Sequence, residues 1–83
     1  MPTVARFYGI LIKMFFSEHG VAHFHAVYGE YVGVFAIETL EMLEGDLPQR
    51  AHRFVHEWAE LHQAALLGMW RTKNFKQLPG LDQ

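Results

Sequence analysis

Three runs of alternating apolar residues fill the first half of this chain and constrain its fold more than any other feature. Residues 3–16 are dense in β-branched and aromatic side chains, and residues 22–28 and 31–37 alternate in the same way. Such runs are typical of β-strands, in which successive side chains point to opposite faces. Gly29 and Glu30 separate the last two runs, and two residues containing glycine at this place favour a hairpin turn.

The first run is apolar on both of its faces, and such a strand is expected to be covered on both. One face carries Tyr8, Ile10, Ile12, Met14 and Phe16, and the other carries Phe7, Gly9, Leu11, Lys13 and Phe15. A fourth, short strand is predicted at residues 38–44, with Leu40 and Met42 directed inward, ending at Gly45.

A long helix is predicted from residue 47 to residue 71 or 73. Asp46 is placed to cap the free amides, Pro48 lies in the first turn, where its missing N–H costs nothing, and Gln49 follows the cap by three residues. At roughly 100° per residue the apolar side chains form one stripe. The stripe consists of Ala51, Phe54, Val55, Trp58, Leu61, Ala65, Leu66 and Met69.

These elements predict an α+β fold, namely a three- to four-stranded antiparallel β-meander followed by one long amphipathic helix packed on one sheet face. Residues 1–73 are expected to form a single domain, and residues 74–83 an extended C-terminal tail that keeps Phe75, Leu78 and Leu81 for docking. One helix covers only one face of a sheet, so the second face is expected to expose an apolar patch. A share of Phe7, Leu11, Phe15 and Phe24, or of their alternates, would form that patch.

The composition narrows the function classes. A hydrophobic content of 51% is high for 83 residues, a size at which one core is only marginally sufficient, and it favours burial against a homodimer mate or a small cognate protein. A net charge of -2 lacks the signature of a nucleic-acid binder, which leaves RNA only as a substrate. The absence of cysteine excludes disulfides and thiolate metal ligands. No apolar run approaches the roughly 20 residues of a membrane span, so a soluble cytoplasmic protein is expected.

Three histidines within seven residues form the candidate site: His19, His23 and His25. On a strand, His23 and His25 point to the same face. One interpretation makes them the acid and base of a ribonuclease, with His19 assisting and Arg6 or Lys13 stabilising charge. A second makes the three imidazoles ligands of a zinc-like divalent metal. A third treats them as structural residues with satisfied hydrogen bonds, so whether the protein is an enzyme stays open.

His62 lies on the apolar stripe of the predicted helix, where a polar group must find a partner. It is either a buried structural histidine or a residue that faces the histidine cluster and completes it.

Four ordered blocks resemble the family filed as domain of unknown function 4160. They read M-P-T-V-A-R-F-Y-G-I-L-I, S-E-H-x-x-x-H-F-H-A-V-Y, G-D-L-P-Q-R-A and E-W-A-E-L-H. The resemblance implies a short bacterial domain, commonly encoded beside a small protein of the family filed as domain of unknown function 2442, in a toxin–antitoxin-like arrangement. By position, the resemblance implies that the residues that recur in the family are Arg6, Gly9, His19, His23, His25, Tyr28, Pro48, Arg50, Trp58 and His62.

Tyr28, Arg50 and His62 are accordingly candidate binding residues. The sequence departs from the family at Val21 and Ala22, where Pro-Pro is usual, and at Ala65, where an acidic residue is common. The favoured interpretation is a cofactor-free interaction module that self-associates or pairs with a cognate small protein. The alternatives are a histidine-dependent ribonuclease-type toxin and a metal-binding domain at the same cluster.

Overall fold

A computed structural model describes residues 3–15 and 20–82 and shows an antiparallel sheet followed by one long helix. The elements are β1 (Thr3–Phe7), β2 (Ile10–Lys13), β3 (His23–Tyr28), β4 (Tyr31–Ala36), β5 (Met42–Gly45) and α1 (Gln49–Thr72). The strands lie side by side in chain order, β1-β2-β3-β4-β5, so each pairs with the next. The α+β class is confirmed, whereas the predicted number of three to four strands is wrong, since the described residues form five.

The additional strand arises from a tight turn at Tyr8 and Gly9. Both residues have positive φ, 50° at Tyr8 and 79° at Gly9, and Phe7 pairs directly with Ile10. Two central residues with positive φ define the type I′ turn that suits a hairpin. The run read as one strand is therefore two, and the turn brings Phe7 and Ile10 onto the same side of the sheet. This explains why the run is apolar at nearly every position.

One face of the sheet, here named the inner face, supplies the buried core. Phe24 and Phe35 on neighbouring strands stack with ring centroids 5.4 Å apart, and Trp58 of α1 stacks on Phe7 at 5.5 Å. The buried apolar cluster joins strand and helix residues, among them Ala5, Phe7, Ile10, Ile12, Met14, Phe24, Ala26, Phe35, Val55, Trp58, Ala59, Leu66 and Met69. Phe7 and Phe24 thus belong to the core, and of the four residues suggested for an exposed patch only Leu11 and Phe15 lie outside it.

The helix begins later than predicted, and Asp46 does not cap it. Its N-cap is Pro48, with no side-chain hydrogen bond to the first turn. The N–H of Asp46 instead donates to the carbonyl oxygen of Val32 at 3.0 Å, which extends the pairing of β4 with β5. At the other end Lys73 adopts φ 58° and its N–H donates to Met69, closing the last turn.

The residues after the helix run alongside β1. The N–H of Leu78 donates to the carbonyl oxygen of Val4 at 2.7 Å, and the side-chain amide of Gln77 donates to that of Thr3 at 2.6 Å. Phe75, Leu78 and Leu81 pack against the core as partly buried side chains. The tail therefore shields an edge strand whose polar groups would otherwise be open to other chains.

Candidate functional site

The face of the sheet opposite the core, here named the outer face, carries both candidate histidines. Phe24, Ala26, Gly33 and Phe35 point into the core, so the residues between them point outward. These outward residues include His23, His25 and Val27 on β3, Leu11 and Lys13 on β2, Val32 and Val34 on β4, Arg6 on β1 and Glu44 on β5. Val32 is 44% exposed.

The strand register arranges these side chains in two rows across the sheet. In the first row Lys13 lies opposite His25, His25 opposite Val34, and Val34 opposite Glu44. The second row consists of Arg6, Leu11, Val27 and Val32. The basic residue of the first row is Lys13 on β2, with Thr3 beside it on β1, and that of the second row is Arg6 on β1. The second row is apolar from β2 to β4, whereas the first has His25 on β3 before Val34 on β4. The first row ends with a carboxylate on β5.

His23 and His25 are in contact, as their spacing on a strand predicts. Their ring centroids are 5.4 Å apart. Nδ1 of His23 lies 2.7 Å from the carbonyl oxygen of Val21. Because a carbonyl oxygen only accepts, Nδ1 carries the proton, and Nε2 is the unprotonated nitrogen of the neutral ring.

Aromatic side chains flank the histidine pair on both sides. Phe15 meets the ring of His25 edge-to-face at 4.9 Å. The ring of Trp70, near the end of α1, lies 4.9 Å from the ring of His23. The pair is therefore partly buried among flat apolar groups, with Lys13 as its cross-strand neighbour.

The structure brings only some of the other candidates to this pair. His19 lies outside the described residues. Arg6 is exposed and sits on β1, from which β2 separates the histidine strand, so Lys13 is the basic residue beside His25. Among residues 3–15 and 20–82, no group of three His, Asp or Glu side chains is placed to hold a metal ion. The metal interpretation, which depends on His19, stays a prediction.

His62 belongs to a different environment. Its ring lies 5.0 Å from that of Trp58, at an interplanar angle of 39°. The backbone at His62 is not helical, with φ -119° and ψ 16°, so α1 is kinked there. Within the described part of the chain, His62 makes this contact with the core and none with His23 or His25, which favours its structural role.

Tyr28 and Arg50, two further candidates, line one cavity of about 390 Å³. The cavity lies between the Tyr8 turn and the first turn of α1, and Ile10 and Ala51 form its buried floor. Sequence reasoning missed Tyr8 and Phe54, whose rings are 4.8 Å apart in its wall. The signal available for Tyr8 was its position directly before Gly9 in an apolar run, which marks a turn once two strands are recognised.

The model of the family described as "Domain of unknown function (DUF4160)" matches residues 9–71 of the chain. No curated protein and no solved structure matches the chain. In the described residues no helix is both long enough and apolar enough to cross a membrane.

Proposed function

The chain belongs to the DUF4160 family, and we propose that it is a protein-interaction module whose outer face binds a second copy of the same chain. The observation that carries the proposal is the pattern of the outer face: Lys13 and Arg6 lie on one side, Glu44 lies on the other, and apolar side chains lie between them. These apolar residues are Leu11, Val27, Val32 and Val34. In this proposal α1 covers the inner face, and the second copy supplies the cover that the outer face lacks.

The charge pattern favours a second copy because it is complementary to itself. Sheets that stack face to face keep their strands roughly aligned, at a spacing of about 10 Å. A two-fold axis that runs parallel to the strands, between β3 and β4, places β2 of one copy over β5 of the other and β3 over β4. Lys13 of each copy then faces Glu44 of its mate, and between these charge pairs Val27 faces Val32 and His25 faces Val34.

The edges of the sheet are poorer interfaces than its face. The tail already occupies the β1 side through the hydrogen bond from Leu78 to Val4. At the other edge, β5 has only four residues, an irregularity in its pairing with β4, and the exposed Glu44. Short, irregular and charged edge strands resist pairing with other chains.

A charge-exchange experiment tests the proposed dimer. We expect Lys13→Glu and Glu44→Lys each to weaken self-association by about tenfold or more, because each places like charges across the interface twice. An equimolar mixture of the two variants is expected to form a heterodimer, since both of its charge pairs are then attractive. The double variant is expected to dimerise like the original chain. Sedimentation equilibrium measures each mass, and circular dichroism verifies that each variant is folded.

Two results would contradict the dimer. One is an original chain that stays monomeric at high micromolar concentration, and the other is a mixture that associates no better than the single variants. A monomer that binds a co-expressed cognate small protein would instead assign the outer face to that partner, in the toxin–antitoxin-like pairing that the family resemblance implies. The loss of that binding in Val32→Lys would locate the partner on this face.

A histidine-dependent ribonuclease is the second candidate function, and the contact between His23 and His25 beside Lys13 favours it. In such a reaction one neutral imidazole takes the proton of a ribose 2′-hydroxyl, whose oxygen attacks the neighbouring phosphorus. The other, protonated imidazole gives its proton to the departing 5′-oxygen, while Lys13 stabilises the added negative charge. RNA cleavage that persists in the double variant His23→Ala, His25→Ala would exclude this function.

The two proposals are compatible because they use the same surface. A dimer that covers the row of His25 would keep the histidine pair away from RNA, as a partner keeps a toxin silent. Any cleavage activity is then expected in the monomer, and it should rise as the protein is diluted.

A further inference from the structure

The cavity beside the Tyr8 turn is a second site, distinct from the outer face. We infer that it binds a small molecule in which a flat ring carries a phosphate or carboxylate. The inference does not depend on the proposed dimer, since the cavity is formed by the first turn of α1, the start of β2 at Ile10 and the end of β3 at Tyr28.

The walls of the cavity suit a flat ring. The rings of Tyr8 and Phe54 stand 4.8 Å apart at 40° and form one side, and Tyr28, whose ring packs against Gly9, also lines the cavity. Ile10, fully buried, closes the floor. A volume of about 390 Å³ lies within the range of small-molecule sites, which are mostly apolar with a few placed polar groups.

The polar groups of the cavity suit an anion. Of the described residues that line it, Arg50 is the only charged one, and no carboxylate lies among them. Its guanidinium lies over the ring of Phe54, 5.4 Å from the centroid, and this cation–π contact keeps the charge beside the cavity wall. Guanidinium forks bind phosphate and carboxylate oxygens through paired hydrogen bonds, and the Tyr8 and Tyr28 hydroxyls add two further donors.

The backbone at Tyr8 is the independent observation that favours a ligand. Its φ of 50° is one that a bulky side chain rarely adopts, and Asn or Gly would fit the first central position of this turn better. The hairpin turn requires the positive φ but not a tyrosine, and because Tyr8 is half exposed, core packing does not require this side chain either. Strained residues cluster at ligand-binding sites, which favours a binding role for the Tyr8 ring in the cavity wall.

Nuclear magnetic resonance of the full chain labelled with ¹⁵N tests the site with four probes. These are adenosine 5′-monophosphate, adenosine, 4-hydroxyphenylacetate and inorganic phosphate. We expect at least one of the two ring-bearing anions to shift the amide signals of Gly9 and Ala51, and to bind at least about tenfold more tightly than adenosine or phosphate. The anion that binds more tightly is called the better probe, and its identity distinguishes a nucleotide site from an aromatic carboxylate site.

Two variants and a matched control complete the test. Arg50→Gln is expected to weaken binding of the better probe by about tenfold or more. Arg53 is an exposed arginine on the same helix, beside His52 and His56, and Arg53→Gln should leave that binding unchanged. Tyr8→Asn relieves the strained turn and removes the ring, so it should abolish binding in a chain that remains folded. The site is refuted if neither anion shifts the Gly9 or Ala51 signals at millimolar concentration. It is also refuted if adenosine binds as well as its monophosphate and 4-hydroxyphenylacetate does not bind. A third refuting result is an Arg50→Gln variant that binds the better probe as tightly as the original chain.

Discussion

The indole N–H of Trp58 donates a hydrogen bond of 2.8 Å to the carbonyl oxygen of Pro79. Trp58 is fully buried at the centre of the core, where an unpaired N–H would cost free energy. The acceptor comes from the tail, 21 residues later in the chain. The tail is therefore part of the core and completes the environment of its largest side chain.

A chain that ends at Asn74 is expected to be strongly destabilised. It loses the Trp58 hydrogen bond and the packing of Phe75, Leu78 and Leu81, together about 3–5 kcal/mol of unfolding free energy. That is a large share of the roughly 5–15 kcal/mol that stabilises a typical domain. Urea denaturation followed by circular dichroism measures the difference. The control is Gln77→Ala, which loses only an exposed hydrogen bond to Thr3; a truncated chain as stable as this control would contradict the role of the tail.

Two glycines are predicted to respond in opposite directions to the same substitution. Gly45 has φ 90°, and a Cβ there would overlap the Val32 carbonyl oxygen, so Gly45→Ala requires the backbone to move. We expect a loss of about 2 kcal/mol or more. Gly68 lies in α1 with open space around the added Cβ, so Gly68→Ala should raise stability by about 0.5–1 kcal/mol.

Thermal denaturation of both alanine variants measures these changes, and about 1 kcal/mol corresponds to roughly 4–8 °C in a domain of this size. A Gly45→Ala variant that melts with the original chain would show that β5 does not hold the described conformation.

The fold class was predictable because β3, β4 and α1 follow their periodicities. Alternation placed β3 and β4 within one residue of their observed ends, and the apolar stripe placed the helix. The Tyr8 turn was missed because its residues lack the usual Asn-Gly signature and its flanks are apolar, so nothing polar interrupts the run. Asp46 was misassigned because its N–H bond to Val32 continues the pairing of β4 with β5 past Gly45, so the helix starts only after Pro48. No local capping rule contains this tertiary contact.

The candidate site was only partly predictable, for a similar reason. Strand spacing is local, so it correctly brought His23 and His25 together. The cavity near Arg50 depends on β2, β3 and α1 meeting at one end of the sheet. The residues that line the cavity are of types that are also common in cores and on surfaces, so the sequence indicated Phe54 only as part of the apolar stripe of the helix.

A lysine in the middle of the outer face is predicted to prevent self-association. Val32→Lys places a charge in the apolar part of the proposed interface, where it faces Val27 of the second copy, so dimerisation should weaken by about 100-fold or more. Leu61→Lys is the matched control, because Leu61 is 71% exposed on α1, away from the outer face. Size-exclusion chromatography with light scattering compares the two. Equal effects of the two variants would remove the outer face from the interface.

The neutral ring of His23 is predicted to hold its proton on Nδ1, the less common tautomer, because Nδ1 donates to the Val21 carbonyl oxygen at 2.7 Å. Long-range ¹H–¹⁵N spectra of the imidazoles distinguish the tautomers by the shifts of the two nitrogens, at a pH where the ring is neutral. His52 is the internal control, since its described contact is with the ring of Phe35, at 5.2 Å, which fixes neither nitrogen. A neutral His23 protonated on Nε2 would show that the Val21 hydrogen bond is absent in solution. It would also mean that no hydrogen bond to Val21 fixes the orientation of the His23 ring, on which the ribonuclease proposal depends.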